Sequence, residues 1–251
     1  MSRPFDAARF AQVYDQLICR GRFNEEPHYY PRYASRYKAI LERFAAQAPD
    51  APLDVLDVGG GQLALLTKAL WGDRSVAADI GGEHLAYLES QGVATTTWNL
   101  CRDPAPFHAR FDVIFFSEVI EHLPIPGHVV LAELRKTARP GALLICTTPN
   151  LYRLRNVVYM MTGRQIFDHF RMPENTGLGH VLEYSSDHLA WQLDKAGWNN
   201  AQIEFVQMPH APVELVNRML YKLGSALFVV PRFTKKEYWP SLEHIGVRSR
   251  F

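Results

Sequence analysis

Leu53-Asp54-Val55-Leu56-Asp57-Val58-Gly59-Gly60-Gly61-Gln62 is the stretch on which the reading of this chain turns. Its Val- and Leu-rich first half predicts a short buried strand. The three glycines then predict a sharp turn into a helix over Leu63–Leu70. Glycine lets the backbone turn tightly and lets a ligand come close to it. Taken alone, the run is compatible with a dinucleotide site, because Gly59, Gly61 and Ala64 satisfy G-x-G-x-x-A. It is equally compatible with a glycine turn that binds nothing.

Downstream, the pattern predicts strand Ser75–Ile80, helix Glu83–Ser90, strands Val93–Trp98 and Phe111–Phe116, helix His128–Thr137 and strand Ala142–Thr147. Strands alternating with helices imply βαβ units and a mostly parallel sheet covered on both faces. Upstream, residues 6–18 and 32–47 read as helices. The second carries Tyr33, Tyr37, Ile40, Leu41 and Phe44 at helical spacing. Between them, Asn24 to Pro31 forms a proline-bounded aromatic loop. After Pro149-Asn150 the regularity breaks, with Gly163, Pro173, Gly177 and Gly179 as punctuation. Ser185-Ser186-Asp187 then caps a helix over His188–Ala196 that Gly197 ends. Ile203–Val206 reads as a strand, 212–228 as a helix and 244–250 as a last strand.

Composition narrows the function. The 251 residues carry 27 basic and 26 acidic side chains, a net charge of +1, so no global basic field favours an extended nucleic acid. Cys19, Cys101 and Cys146 are widely spaced and form no C-x-x-C pair. They read as free thiols in a reducing compartment, which makes the expected location cytoplasmic. The N-terminus lacks the apolar run of a signal peptide. Leu215–Val230, the most apolar late segment, is interrupted by Asn217, Arg218, Lys222 and Gly224 and is too short and polar for a transmembrane segment.

Three further features fall at predicted strand ends, the edge where open α/β sheets bind ligands. Asp79 ends the second strand, where a carboxylate can accept hydrogen bonds from both ribose hydroxyls or simply cap the next helix. Trp98-Asn99-Leu100-Cys101 ends the third, where Asn99 can meet an adenine amino group and the next backbone N–H a ring nitrogen. The run Phe111 to Leu123 carries a buried strand into the polar turn Ser117-Glu118-Val119-Ile120-Glu121-His122.

In this order and spacing the features resemble the class I S-adenosylmethionine-dependent methyltransferases. Asp57, Gly59 and Gly61 match their first motif, Asp79 their ribose acid, and Asn99 the adenine position, where Asp is commoner. Ser117–Leu123, Thr147-Thr148-Pro149-Asn150 and Gly179–Tyr184 resemble the subgroup of ubiquinone-pathway and sugar or glycan O-methyltransferases. The resemblance covers about residues 53–207 and the candidate last strand. It implies an α/β, Rossmann-like, seven-stranded, mostly parallel sheet with an antiparallel last strand and helices on both faces. It also implies one domain over 1–251, with an N-terminal helical lid (1–50), a cofactor-binding core (53–150) and acceptor-side insertions (151–182 and 208–243). S-Adenosylmethionine would be held by Asp57, Gly59, Gly60, Gly61, Asp79, Ile80, Asn99, Leu100, Ser117 and Glu118.

The acceptor end stays more open. A hydroxyl acceptor must lose its proton, which calls for a general base or a Lewis acid. Glu118, Glu121 and His122 stand at i, i+3 and i+4, one face of a helical turn. His122 and Glu121 are therefore the expected catalytic pair. In some relatives with the E-x-x-E-H pattern a divalent ion sits there, which would make Glu118, Glu121, His122 and His180 ligands of Mg or Zn. The remaining reading gives Glu121 and His122 a pocket-shaping role alone. Tyr29, Tyr30 and Tyr33 are expected to help build the acceptor pocket, and Tyr29 and Tyr30 either cover the cofactor or pack. Arg155, Arg164, His169 and Arg171 either meet an anionic acceptor group or are solvated. The apolar stripe Val213, Val216, Met219, Leu220, Leu223, Leu227 is expected to pack on the core or form a homodimer contact, with peripheral membrane contact a third role if the acceptor is lipid-linked. The resulting expectation is O-methylation of a small-molecule or glycan acceptor. The rivals are a metal-dependent RNA 2′-O-methyltransferase, an NAD(P)-dependent oxidoreductase and a non-catalytic partner subunit. The oxidoreductase is disfavoured by Asp57 two residues before the first glycine and by the Ser117–Leu123 segment.

Overall fold

A computed structural model describes residues 2–23, 25, 28–167, 179–206 and 226–232. The chain divides into two compact units. The first comprises residues 1–99 and 110–115, the second residues 100–109 and 116–251.

In the first unit, α1 (Ala7–Tyr14) starts at Asp6, whose carboxylate accepts from the Ala8 and Arg9 amides, and runs on as a π-helix over Asp15–Cys19. α2 (Tyr29–Gln47) buries Ile40, Leu41 and Phe44. β1 (Asp54–Val58), α3 (Gln62–Trp71), β2 (Arg74–Asp79), α4 (His84–Ser90) and β3 (Ala94–Thr97) follow. β4 (Phe111–Ser117) returns beside β1, in parallel register Val55↔Val113 and Leu56↔Ile114. β1–β2 and β2–β3 are also parallel, so the strand order is β3-β2-β1-β4. Val55, Leu56, Val113, Ile114 and Phe115 are all within 2% of full burial, as strands covered on both faces must be. Phe44 of α2 meets Phe115 and Trp71 edge-on at 5.3 and 5.6 Å. Over the Phe44 and Trp71 rings lies the buried Arg3 guanidinium, 2.6 Å from Asp73, so the first residues of the chain are tied to the core by a paired charge.

β4 enters the second unit at Phe116. There follow a 3₁₀ turn (Ile120–His122), α5 (Gly127–Thr137), β5 (Ala138–Pro149), α6 (Leu154–Met161), α7 (Ser186–Lys195), β6 (Asn199–Val206) and β7 (Ala226–Arg232). The strand order continues β5-β7-β6, and β7 is antiparallel to both its neighbours. Leu131, Leu134, Leu189, Leu193, Tyr184 and Trp198 form the core, and the Trp198 indole donates to the Leu131 carbonyl at 2.9 Å. Ser185 caps α7 by accepting from the His188 amide.

Three expectations need correction. The seven strands divide into a main block of five, β3-β2-β1-β4-β5, and an appended antiparallel pair, β7 and β6. The helix read over 212–228 does not extend through its end. Ala226–Leu227–Phe228 begin β7, where Leu227 pairs in register with Thr148 and Phe205. A run of Leu, Phe and Val fits a buried strand as well as a helix face, and periodicity cannot separate them over so few residues. Conversely, α6 forms where the sequence suggested only irregular chain. The rest of that late stripe and the candidate strand 244–250 lie outside the described residues.

Candidate functional site

In the first unit, the carboxyl ends of β1, β2 and β3 assemble one group of predicted residues. Gly59, Gly60 and Gly61 take φ values of 93°, 113° and 79°, the left-handed region that a side chain strains. A β-carbon on Gly61 would also stand 2.4 Å from Leu88 Cδ1 and 2.8 Å from Ala77 Cβ, so packing forbids one. The turn is pinned at both ends. The Gly59 amide donates to the Ala78 carbonyl at 3.0 Å. The Asp57 carboxylate accepts from the Leu63 and Ala64 amides at 2.8 and 3.0 Å, satisfying two of the open donors at the start of α3. Tyr30 is buried, and its hydroxyl accepts from the Gln62 side chain just past the loop.

Asp57 is 3% exposed. Burial pushes its carboxyl up to about 7, against the lowering effect of the two amide hydrogen bonds and with a smaller push from Asp79. Asp79 ends β2 with its carboxylate 3.6 Å from His84 Nε2. Ile80, next in the chain, is 72% exposed. The Trp98 amide donates to the Asp79 carbonyl at 2.8 Å, which sets Asn99 at the same sheet edge. This cradle fits S-adenosylmethionine. A cation suits the buried carboxylate, a diol suits the strand-end carboxylate, and a flat base suits the bare apolar side chain beside it.

In the second unit, Leu100 is largely buried, and the remaining predicted residues begin at Ser117, the end of β4. Ser117 Oγ lies 2.7 Å from Thr147 Oγ1, and the Glu118 amide donates to the Thr147 carbonyl at 2.8 Å. Glu118 has φ 55°, a left-handed conformation unusual for a residue with a side chain. Glu121 is fully buried. It accepts at Oε2 from the Thr148 hydroxyl at 3.0 Å, and its carbonyl accepts from the Val181 and Leu182 amides. Those bonds carry His180 to His122, ring centroids 4.9 Å apart and 78° inclined. One ligating atom from each of Glu121, His122 and His180 lies within 4.8 Å of the others. Glu118 does not belong to that group. The expected helical turn does not begin until Ile120, so the i, i+3, i+4 spacing does not place Glu118 on a face with Glu121 and His122.

Behind His180 stands a network that sequence reasoning missed. Glu183 is fully buried and takes His180 Nδ1 at 2.9 Å, Asn156 Nδ2 at 2.6 Å and the Arg153 guanidinium. Arg155 stands 3.8 Å away. Burial alone would raise the Glu183 carboxyl. The His180 hydrogen bond and the Arg153 charge outweigh it, so the group sits below the usual range. Cys146, also buried, is pushed well above the ordinary thiol range by burial and by the Glu121 and Glu118 charges, which makes it inert. Arg164 is exposed, 5.8 Å from the Tyr159 ring, whereas His169 and Arg171 lie outside the described residues.

The sequence model of a family described as "Methyltransferase domain" matches residues 28–203, more than half of the chain. No curated protein matches the chain. Among solved structures, an S-adenosylmethionine-dependent methyltransferase from Thermotoga maritima superposes with a TM-score of 0.57 at 13% identity, covering 89% of this chain and 99% of that one. One from Archaeoglobus fulgidus scores 0.53 at 18% identity, covering 79% and 93%. A Haloferax volcanii methyltransferase, solved with the Trm112 activator, scores 0.56 at 15% identity, covering 80% and 92%. These structures share the fold.

Proposed function

The chain belongs to the methyltransferase-domain family, and from that premise we propose that it is an S-adenosylmethionine-dependent enzyme that methylates an oxygen of a small-molecule or sugar-containing acceptor in the cytoplasm. The observation that carries the cofactor assignment is the buried Asp57 carboxylate, beside a three-glycine turn and in line with Asp79 and Asn99 along one sheet edge. The bound cofactor supplies a methyl group on a sulfonium, already activated for in-line displacement. The protein's remaining tasks are therefore alignment and the acceptor's proton.

Asp57 holds the glycine turn and faces the cofactor's positive charge, Asp79 takes the ribose hydroxyls, and Ile80, Asn99 and Leu100 receive the adenine. Ser117 and Glu118 receive the methionine end. In the second unit, His122 takes the acceptor proton, with the buried Glu121 carboxylate 3.9 Å from its Nε2. Oxygen is preferred over nitrogen because an amine needs no base in the transition state.

A second reading rests on the convergence of Glu121, His122 and His180. One carboxylate and two imidazoles are a donor set that suits zinc better than magnesium. A divalent cation there would act as Lewis acid on the acceptor hydroxyl, with His122 a ligand rather than a base.

Calorimetric titration with S-adenosylhomocysteine, with NAD in parallel and each with and without EDTA, tests both. The expected result is micromolar binding of S-adenosylhomocysteine, lost in Asp79→Ala, and none of NAD. Absence of that binding overturns the cofactor assignment. A binding signal that EDTA changes and added zinc restores selects the cation reading over the His122 base.

A further inference from the structure

Seven large hydrophobic side chains are exposed among the described residues, and four of them, Tyr152, Val158, Met160 and Met161, fall within ten consecutive positions at α6. Such clustering is not what a helix packed on its own core presents. On α6, Leu154, Val158 and Met161 stand at i, i+4 and i+7 and share one face. Met161 is 82% exposed, whereas Asn156, on the opposite side, is fully buried. The helix is thus fastened by a polar residue and turns its apolar stripe outward, an inversion of the usual amphipathic arrangement.

Charge identifies what that stripe meets. Residues 151–167 contain three arginines, Arg153, Arg155 and Arg164, and no acidic residue. Glu183 offsets one of these charges from inside the unit. Arg155 and Arg164 are exposed and flank the Tyr159 ring, each guanidinium within 5.8 Å of its centroid. Apolar side chains bordered by arginines that outnumber the one carboxylate near them suit a surface that is hydrocarbon below and anionic above. A soluble anion would leave Val158 and Met161 bare, and an apolar protein partner would have no use for the arginines.

We propose that α6 docks on an anionic lipid surface, with Val158 and Met161 at the acyl boundary and Arg155 and Arg164 on headgroup phosphates, so that the acceptor is lipid-borne. No helix among the described residues is long and apolar enough to cross a membrane, so the contact is peripheral. The docked helix is linked to the chemistry. Arg153 and Asn156 at its root both reach Glu183, which holds His180 in the Glu121–His122–His180 group. Only the lipid-borne nature of the acceptor rests on the methyltransferase reading.

The test is co-sedimentation of the full chain with vesicles of phosphatidylcholine alone or mixed with phosphatidylglycerol. The chain is expected to pellet with the anionic vesicles and to be released by 0.5 M salt. Met161→Glu should lower partitioning about tenfold, the effect of withdrawing one side chain from hydrocarbon. Arg155→Gln with Arg164→Gln should abolish the salt-sensitive part. S-Adenosylhomocysteine titration of the same preparations checks that each variant is folded. Failure to pellet with intact S-adenosylhomocysteine binding overturns the docking proposal, as does pelleting that Met161→Glu leaves unchanged. A Met161-dependent dimer in sedimentation without lipid binding overturns it too. Pelleting as expected without S-adenosylhomocysteine binding would instead sink the cofactor assignment and leave the docking surface standing.

Discussion

The proposed cofactor end and the proposed acceptor end of this protein are held in different ways. At the first, the functional groups hang on backbone: a glycine turn pinned by the Gly59 amide, and a carboxylate, Asp57, that accepts from two backbone amides. At the second, side chains hold side chains. Thr148 holds Glu121, and Glu183 holds His180, Asn156 and Arg153. A backbone-built site follows from local sequence. A side-chain network depends on every member, so damage to it spreads.

The largest difference should appear on removing a carboxylate from each end. Glu183→Ala leaves the mostly buried Arg153 without its counter-charge and should cost about 3–5 kcal/mol in denaturant unfolding. Asp79→Ala should change stability by less than about 1 kcal/mol, because its carboxylate sits partly exposed at a strand end. Equal losses at the two sites would end the distinction.

Within the first unit, Gly61→Ala at the glycine turn and Gly72→Ala at the far end of α3 sharpen it. Both glycines have left-handed φ, 79° and 73°, and both substitutions carry a conformational cost of about 1 kcal/mol. Only the Gly61 β-carbon meets neighbours, Leu88 and Ala77. Gly61→Ala should therefore lower the thermal midpoint further, by an additional 1–3 kcal/mol or so. Matching midpoints would show that the loop yields.

The smallest effect is in pH. The Asp57 carboxyl, near 7 when the cofactor site is empty, is held ionised by a cationic ligand, which lowers its pKa. Below pH 7, binding must then expel a proton. S-Adenosylmethionine affinity should fall as pH drops from 8 to 6, by about tenfold. Calorimetry in buffers of different ionisation enthalpy should register that proton release at pH 6. Flat affinity would mean that Asp57 does not face the charge.

The same contrast explains what could be read in advance. Asp57, the glycines, Asp79 and Asn99 belong to strand ends and turns, whose patterns span a few residues. β1 to β5 were legible for that reason, although β5 runs several residues longer at its start than its apolar core suggested. The Glu183 network was not legible, since it joins residues 27 and 30 positions apart through contacts that no local period encodes. Glu118 was grouped with Glu121 and His122 on the assumption of a continuous helix, and a left-handed residue breaks helical spacing without leaving a glycine to mark it. α6 escaped because its outward stripe is apolar, the reverse of what a helix search expects.

Glu118 also bears on protein engineering. At φ 55° a glycine would relieve about 1 kcal/mol of backbone strain. A library of this chain screened for heat resistance alone should therefore enrich Glu118→Gly early. On the proposed function such winners would melt later and turn over less, because the carboxylate at the methionine end would be gone. Selection schemes for this protein would have to score turnover alongside melting from the first round.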